Sequence, residues 1–457
     1  MSRTRALARR SRDWVDEIAQ SSPARLALLV FTAIVLVVTA LLSLPIATAD
    51  GHRAPLADAM FTATSAVCVT GLVTVDTATY WSTFGHTVIM VAMAVGGLGV
   101  MTLASILGFA VSRRIGLTQR MLTARETKTD RLGEVGSLII AVIVVSLSVE
   151  IALTLVLLPR FTTLGEPFGE ALWHASFMAV SIFNNAGFVI LPEGLQPHLG
   201  DWWIGLPITV GTAIGAIGFP VLLNLRRHLF HPRHWSLHTK LTLVMYGFLS
   251  ALAFLVIPAM EWTNPATFGQ MNTSEKILTG LIYSVNARSS GIETIPVAHM
   301  REATWFFQDA LMFVGGGTAS TGGGIKVTTL AVLLLAIVAE ARGDRDIEAF
   351  QRRIPPGTVR LAVAVAFIGA TLVGLATLIL LSITNLQLDM VLFDVISAFG
   401  TVGLSTGITG HLPDAGKYVL TGMMFMGRVG TMTLAAALAL RSRRRVIRMP
   451  EERPAVG

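Results

Sequence analysis

Long apolar runs at residues 26–46, 138–158, 241–260 and 361–383 divide the chain into comparable quarters, and Glu150 is the one charge inside them. Each is close to the ~20 apolar residues that a helix needs to cross a bilayer. After each run come a shorter helix-compatible stretch (56–67, 168–183, 274–287 and 389–399), a glycine turn, and a second apolar segment (84–111, 203–225, 305–340 and 418–440). The short stretches hold too few residues to span, which predicts that they re-enter and leave on the same side. The turns read Cys68-Val69-Thr70-Gly71-Leu72, Asn184-Asn185-Ala186-Gly187-Phe188, Arg288-Ser289-Ser290-Gly291-Ile292 and Gly400-Thr401-Val402-Gly403-Leu404.

The four glycines are separated by 116, 104 and 112 residues. Ten positions before each stands a bulky apolar residue: Phe61, Phe177, Leu281 and Phe393. Six positions before three of them stands a serine: Ser65, Ser181 and Ser397. Such regularity marks internal repeats. It predicts an all-α membrane protein: four helix–pore loop–helix repeats around one central pore, with eight transmembrane helices. The repeats run 26–134, 135–240, 241–357 and 358–440, between an N-terminal cytoplasmic segment, 1–25, and a cytoplasmic tail, 441–457. The plainer alternative is a helical bundle whose re-entrant loops have no special role.

Composition agrees with a membrane setting: 53% of residues are hydrophobic, 14% are charged, and the mean hydropathy is +0.66. A net charge of +7 would suit a nucleic-acid binder, but the positions of the charges argue otherwise. Of 35 Lys and Arg residues, 27 fall in the N-terminus, 113–131, 226–240, 342–360 and the tail from Arg441. These segments alternate with charge-poor loops across the apolar runs, as expected of cytoplasmic loops, and place both termini inside. The basic start has no small-residue cleavage site after a short apolar core, so the first run reads as a retained helix. A single cysteine, Cys68, excludes an intrachain disulfide.

An ion crossing a bilayer must exchange its hydration shell for other oxygens, and backbone carbonyls of an extended turn can supply them. Glycine allows the dihedrals that turn successive carbonyls to one side. The C-terminal end of each short helix would add partial negative charge. Candidate ion-binding residues are Val69, Thr70, Gly71, Asn185, Ala186, Gly187, Ser289, Ser290, Gly291, Thr401, Val402 and Gly403. No carboxylate lies within the turns, so neutral oxygens predict a monovalent cation rather than a divalent one. No catalytic pair is legible, and the chain reads as a transporter, not an enzyme.

The motifs TSAVCVTGLVTVDTAT (64–79), FNNAGF (183–188), NARSSGI (286–292), GGGTASTGGGIK (315–326) and AFGTVGLSTG (398–407) span all four quarters. On them the chain resembles the membrane subunits of the Trk/Ktr/HKT potassium uptake superfamily, and is most similar to the Ktr type. The resemblance implies potassium uptake across a prokaryotic plasma membrane through a filter at Gly71, Gly187, Gly291 and Gly403. Serine at the first position goes with sodium transport in plant relatives, so Gly71 favours potassium; Ser289-Ser290 departs from the more usual Thr-Ala. It further implies a homodimer, a cytoplasmic regulatory subunit (a KtrA-like ring binding ATP/ADP or NAD) docked on the basic loops, no cofactor in this chain, and sodium as a candidate activator.

The third repeat breaks the pattern. Gly315, Gly316, Gly317, Thr318, Ala319, Ser320, Thr321, Gly322, Gly323 and Gly324 contain six glycines, each costing a helix roughly 0.5–1 kcal/mol. A continuous helix is disfavoured there, and the stretch reads as a flexible intramembrane loop that blocks or opens the path; in relatives it is the gating loop. It lacks the spacing of a phosphate-binding loop, and helix packing is the plainer role for its glycines. Arg428 lies in the last apolar segment about a dozen residues before Arg441, which predicts a partner among the loop carbonyls rather than snorkelling. Lys326 either anchors the loop's end or snorkels. Arg288 is expected to pair with a carboxylate or cap a short helix. Asp58, Asp76 and Glu293 either attract cations at the outer mouth or are solvated loop acids. His228, His231, His234 and His238 share one basic loop, without the cysteines or acids of a transition-metal site. A secondary transporter of an organic solute is the competing reading; it predicts inverted repeats, whereas these share one orientation.

Overall fold

The computed structural model describes residues 23–99, 102, 131–431 and 433. The N-terminal segment, most of the 113–131 basic segment and the tail lie outside them. The fold is mostly helical. Repeat 1 supplies α1 (Pro23–Leu42), the short α2 (Leu56–Val67) and α3 (Thr83–Gly99). Repeat 2 supplies α4 (Arg131–Thr163), the short α5 (Phe168–Asn184), α6 (Trp202–Ile217) and α7 (Phe219–His228). Repeat 3 has α8 (Leu237–Glu261), the short α9 (Thr273–Asn286), α10 (Glu302–Phe313) and α11 (Val327–Arg342). Repeat 4 has α12 (Pro356–Ile383), the short α13 (Leu388–Gly400) and α14 (Asp414–Phe425), which runs into a π-helical turn, Met426–Gly430.

By length and composition three helices can cross a membrane: the Ile139–Thr163 part of α4, α8 and α12. Helices α6 and α7 make a fourth only if taken together across a 98° bend. The described residues therefore show three or four candidate spans, where eight were expected. Two helix breaks account for part of the shortfall, and the limits of the described residues for more of it. Gly218 breaks the expected 203–225 helix, the glycine stretch splits 305–340 into α10 and α11, and 84–111 and 418–440 reach past the described residues. A β-hairpin, β1 (Ile347–Ala349) with β2 (Arg352–Ile354), adds strand that the basic loop did not advertise. The long helices expose Leu155, Val244, Leu255, Phe367 and Leu378, an outer surface suited to lipid rather than water.

The short helices are enveloped. In α2 every residue from Ala57 to Val67 except Met60 is buried. Helices α2 and α5 start directly after Pro55 and Pro167, where fixed φ ends the incoming extended chain. Helix α9 starts with a capping box: Glu275 N–H donates to the Asn272 side chain at 3.0 Å, and Asn272 N–H donates to the Glu275 carboxylate at 2.9 Å.

Each short helix packs against the first helix of its own repeat and the second helix of the repeat before it. Thus α9 lies against α8 and α6, α13 against α12 and α10, and α2 against α1 and α14. Helix α5 meets α4, and its Phe177 touches His86 of α3 edge-on with centroids 6.3 Å apart. The α14–α2 contact closes a circle, and a buried ion pair, Lys417 Nζ to Asp58 Oδ1 at 2.6 Å, stands at that seam.

Candidate functional site

The four turn glycines all have positive φ: +91° at Gly71, +75° at Gly187, +55° at Gly291 and +99° at Gly403. They meet in a closed ring. A methyl carbon added to Gly71 would sit 2.5 Å from the Ala186 carbonyl oxygen and 2.9 Å from the Gly187 Cα. On Gly187 it would overlap the Ser290 oxygen, on Gly291 the Val402 oxygen, and on Gly403 the Thr70 oxygen. Each glycine thus abuts the carbonyl before the next repeat's glycine, in chain order, and the fourth returns to the first. Only a residue without Cβ allows backbones to approach so closely.

Helix ends shape the turns. In repeats 1, 2 and 4 the residue two before the glycine is left-handed: Val69, Asn185 and Thr401, with φ of +56°, +58° and +48°. The following N–H reaches back to the serine of the repeat: Thr70 to the Ser65 carbonyl at 2.8 Å, Ala186 to Ser181 at 2.8 Å, and Val402 to Ser397 at 2.9 Å. This is the Schellman closure of a helix C-terminus. The Ser65 and Ser397 hydroxyls also accept from the N–H groups of Gly71 and Gly403, each at 3.1 Å. In repeat 3 Val285 replaces the serine and Ser290 itself takes the positive φ, +101°. The Ser289-Ser290 departure is therefore one of backbone as well as side chain.

Of the four hydroxyls in the turns, Thr70 Oγ1 and Thr401 Oγ1 are buried without a partner among the described residues. Ser290 Oγ instead accepts from Thr212 at 3.4 Å. The Asn185 amide is satisfied when its nitrogen donates to the Thr212 and Ile182 carbonyls and its oxygen accepts from the Thr321 and Ser289 hydroxyls at 3.0 and 2.9 Å. One side chain thereby joins turns 2 and 3 to the glycine loop. Acids nearby are engaged elsewhere: Glu150 accepts from Asn184 at 2.8 Å, and Asp394 accepts from Ser405 at 2.7 Å and from the Thr406 N–H at 2.9 Å. Neutral backbone oxygens gathered in one ring can replace the hydration of a monovalent cation.

Between α10 and α11 the chain leaves the helix, as the glycine content predicts. Gly315 N–H donates to the Ile325 carbonyl at 2.8 Å and Ile325 N–H to Phe313 at 3.3 Å, pinning the loop's ends together. Its middle bonds to the α6–α7 bend: Gly317 N–H to Ala216 at 2.8 Å, Thr321 N–H to Gly215 at 3.2 Å, and Phe219 N–H to the Ala319 carbonyl at 3.1 Å. Gly316 accepts from Val327 N–H at 3.1 Å and Thr318 bonds the Thr328 hydroxyl at 3.0 Å. Ser320 Oγ accepts from Gly322 N–H at 3.3 Å. A methyl on Gly322 would lie 3.0 Å from the Ser289 hydroxyl, and one on Gly323 would overlap Thr401. Gly324 N–H donates to Gly427 at 3.3 Å. The loop therefore lies directly against the turns.

Two cations, Arg428 buried and Lys326 half-buried, hold it there. Arg428, in the π-helical turn, donates to the Thr321 carbonyl. Lys326 Nζ donates to the Gly322 carbonyl at 2.5 Å and points at Gly323, 3.4 Å away, so it anchors the loop by its carbonyls and does not snorkel. Arg288 differs from expectation. It is buried, stacks over the Tyr246 ring at 3.8 Å and donates to the Ser250 hydroxyl, with no carboxylate partner among the described residues. A guanidinium is planar and weakly hydrated, which suits an aromatic face.

The outer acids have structural roles. Asp58 pairs with Lys417. Asp76 caps the Thr77–Tyr80 turn, accepting from Ala78 N–H at 3.3 Å and the Thr79 hydroxyl at 2.6 Å. Glu293 accepts from Val297 N–H at 2.8 Å, and burial pushes its carboxyl above the usual range. The rings of His228 and His231 lie 5.8 and 5.9 Å from that of His234, yet among the described residues no group of three or more His, Cys, Asp or Glu is placed to hold a metal.

Sequence reasoning passed over a second set of glycines. A methyl on Gly96, Gly215 or Gly427 would overlap the carbonyl of Val67, Phe183 or Phe399, at the end of the short helix in the same repeat. Gly427 permits the approach that brings Arg428 to the loop. These glycines follow the turn glycines by 25, 28 and 24 residues, and the same offset in repeat 3 falls on Gly315–Gly317. That recurrence was available in the sequence.

A model of the TrkH family, described as a cation transport protein, matches residues 12–444. The Ktr system potassium uptake protein B of Bacillus subtilis (strain 168) is 35% identical over 430 residues, covering 94% of this chain and 95% of its own length. The potassium/sodium uptake protein NtpJ of Enterococcus hirae is 32% identical over 433 residues, covering 93% and 94%. Among solved structures, the potassium transporter TrkH from Vibrio parahaemolyticus superposes with a TM-score of 0.70 at 19% identity, covering 90% of this chain and 83% of that one. A ring of glycine turns on a helical membrane scaffold, matched along nearly its whole length, makes this chain a member of the TrkH/Ktr family of cation transport proteins.

Proposed function

We propose that the protein takes up potassium across a prokaryotic plasma membrane through the glycine ring, driven by the membrane potential. The observation that carries this reading is the closure of Gly71, Gly187, Gly291 and Gly403 onto one another's neighbouring carbonyls. The Ktr system relatives are potassium uptake proteins by name, which supports the choice of ion. In the full membrane setting the second segments of each repeat complete eight spans, with both termini cytoplasmic. The loop 315–324, held by Arg428 and Lys326, closes the path, and its release opens it.

The chain works as a homodimer with a cytoplasmic nucleotide-binding regulatory subunit, and needs no cofactor of its own. A second reading, translocation of both potassium and sodium, is favoured by the altered backbone at Ser290 and by the potassium/sodium relative. Growth of a potassium-uptake-deficient bacterium at low potassium tests the proposal. Rescue by this chain with a matched partner subunit is expected, and failure with such a partner contradicts it.

A further inference from the structure

Helix α7 leaves α6 at 98°. It therefore runs nearly across the axis of α6 and carries the chain out to the 226–240 basic loop. Its last turn and the loop after it expose Arg226, Arg227 and Arg233, and no acid occurs from Gly218 to Lys240. Between these arginines Leu229 is 55% exposed and Phe230 86% exposed. The loop is built to hold them out. Trp235 Nε1 donates to the His228 carbonyl at 2.9 Å, Ser236 N–H to the Asn224 side chain at 3.3 Å, and the His228 and His234 rings stack. Water suits the arginines but not an extruded phenylalanine. The boundary between headgroups and acyl chains accommodates both.

We infer that α7 and its loop bind anionic phospholipid, with Phe230 and Leu229 among the acyl chains and Arg226, Arg227 and Arg233 on the phosphates. Guanidinium groups suit phosphate oxygens geometrically. An acidic protein surface would match the charge but not the exposed apolar tip. The site also has a route to the loop 315–324. Gly218, at φ +93°, lies so close that a Cβ would be 2.7 Å from the Thr318 carbonyl oxygen, and the Phe219 N–H bonds Ala319. Lipid that fixes α7 fixes the crest of the loop against the turns. The coupling rests on the gate reading above; the lipid site does not.

The test uses the full chain and its R226Q/R227Q/R233Q variant, whose changes are all on exposed side chains. In detergent, with phosphatidylglycerol and phosphatidylcholine added in equal amounts, native mass spectrometry reads bound lipid. The wild type is expected to retain phosphatidylglycerol preferentially, and the variant at least about tenfold less, since each basic residue near an anionic surface contributes about a fivefold factor. Equal retention by both proteins overturns the site, as does a variant that loses only the binding of a cytoplasmic partner protein. In vesicles, wild-type potassium flux is expected to be lower with phosphatidylglycerol than with phosphatidylcholine alone, and the variant to abolish the difference. A lipid dependence that persists in the variant overturns the coupling. Lipid retention is read without transport, so it stands or falls separately from the potassium assignment.

Discussion

Gly403 illustrates how one missing atom shapes the ring. Its φ of +99° disfavours any side chain, and a Cβ would overlap the Thr70 carbonyl. A Cβ in left-handed backbone costs about 1–2 kcal/mol before any clash, roughly a tenfold factor in an equilibrium. The serines before the turns separate in a testable way. Ser65 and Ser397 hydroxyls accept from glycine N–H groups, whereas the Ser181 hydroxyl is buried without a partner among the described residues. Ser65→Ala and Ser397→Ala are expected to lower stability by about 1–3 kcal/mol, the cost of orphaning a buried N–H, while Ser181→Ala changes it little. Thermal unfolding in detergent measures this, and equal effects at all three positions would contradict the assignment. The buried ion pair gives a second test. Lys417→Met leaves Asp58 charged and alone, at an expected cost of about 3–5 kcal/mol, and adding Asp58→Asn recovers most of it. A double variant no better than the single one would deny the pairing.

At the level of elements, the 315–324 loop is distinctive because its bonds run to other elements. It joins the α6–α7 bend, the π-helical turn and the cations of Arg428 and Lys326. Shortening the loop, or Arg428→Ala, is expected to raise potassium flux in reconstituted vesicles; unchanged flux in both variants would sink its role as a gate. The helix break was legible in the sequence because six glycines cannot sustain a helix, and Arg428 because a lone charge in an apolar run needs a partner. The 98° bend was not legible. Gly218 is one glycine in an apolar stretch, and its break follows from packing against Thr318 and Ala319, which are distant in sequence. Arg288 was missed for a similar reason: its partners Tyr246 and Ser250 lie on α8, with no signature near the turn.

Across the whole molecule, fourfold order is strict at the turn glycines and relaxed elsewhere. The repeat spacing made the ring readable from the sequence alone, since four similar units with in-register glycines have few other ways to meet. What spacing could not supply was the order of contact: repeat 1 to 2, 2 to 3, 3 to 4, and 4 back to 1. That closure gives the four glycines equivalent places in the ring, whatever the differences in the surrounding repeats. The most direct measurement is potassium and sodium uptake by reconstituted protein carrying Gly71→Ala, Gly187→Ala, Gly291→Ala or Gly403→Ala, one at a time. Each variant is expected to lose potassium uptake or its preference over sodium by about tenfold or more, the factor set by the left-handed strain. Wild-type uptake and preference in any correctly folded variant would contradict a shared ion site.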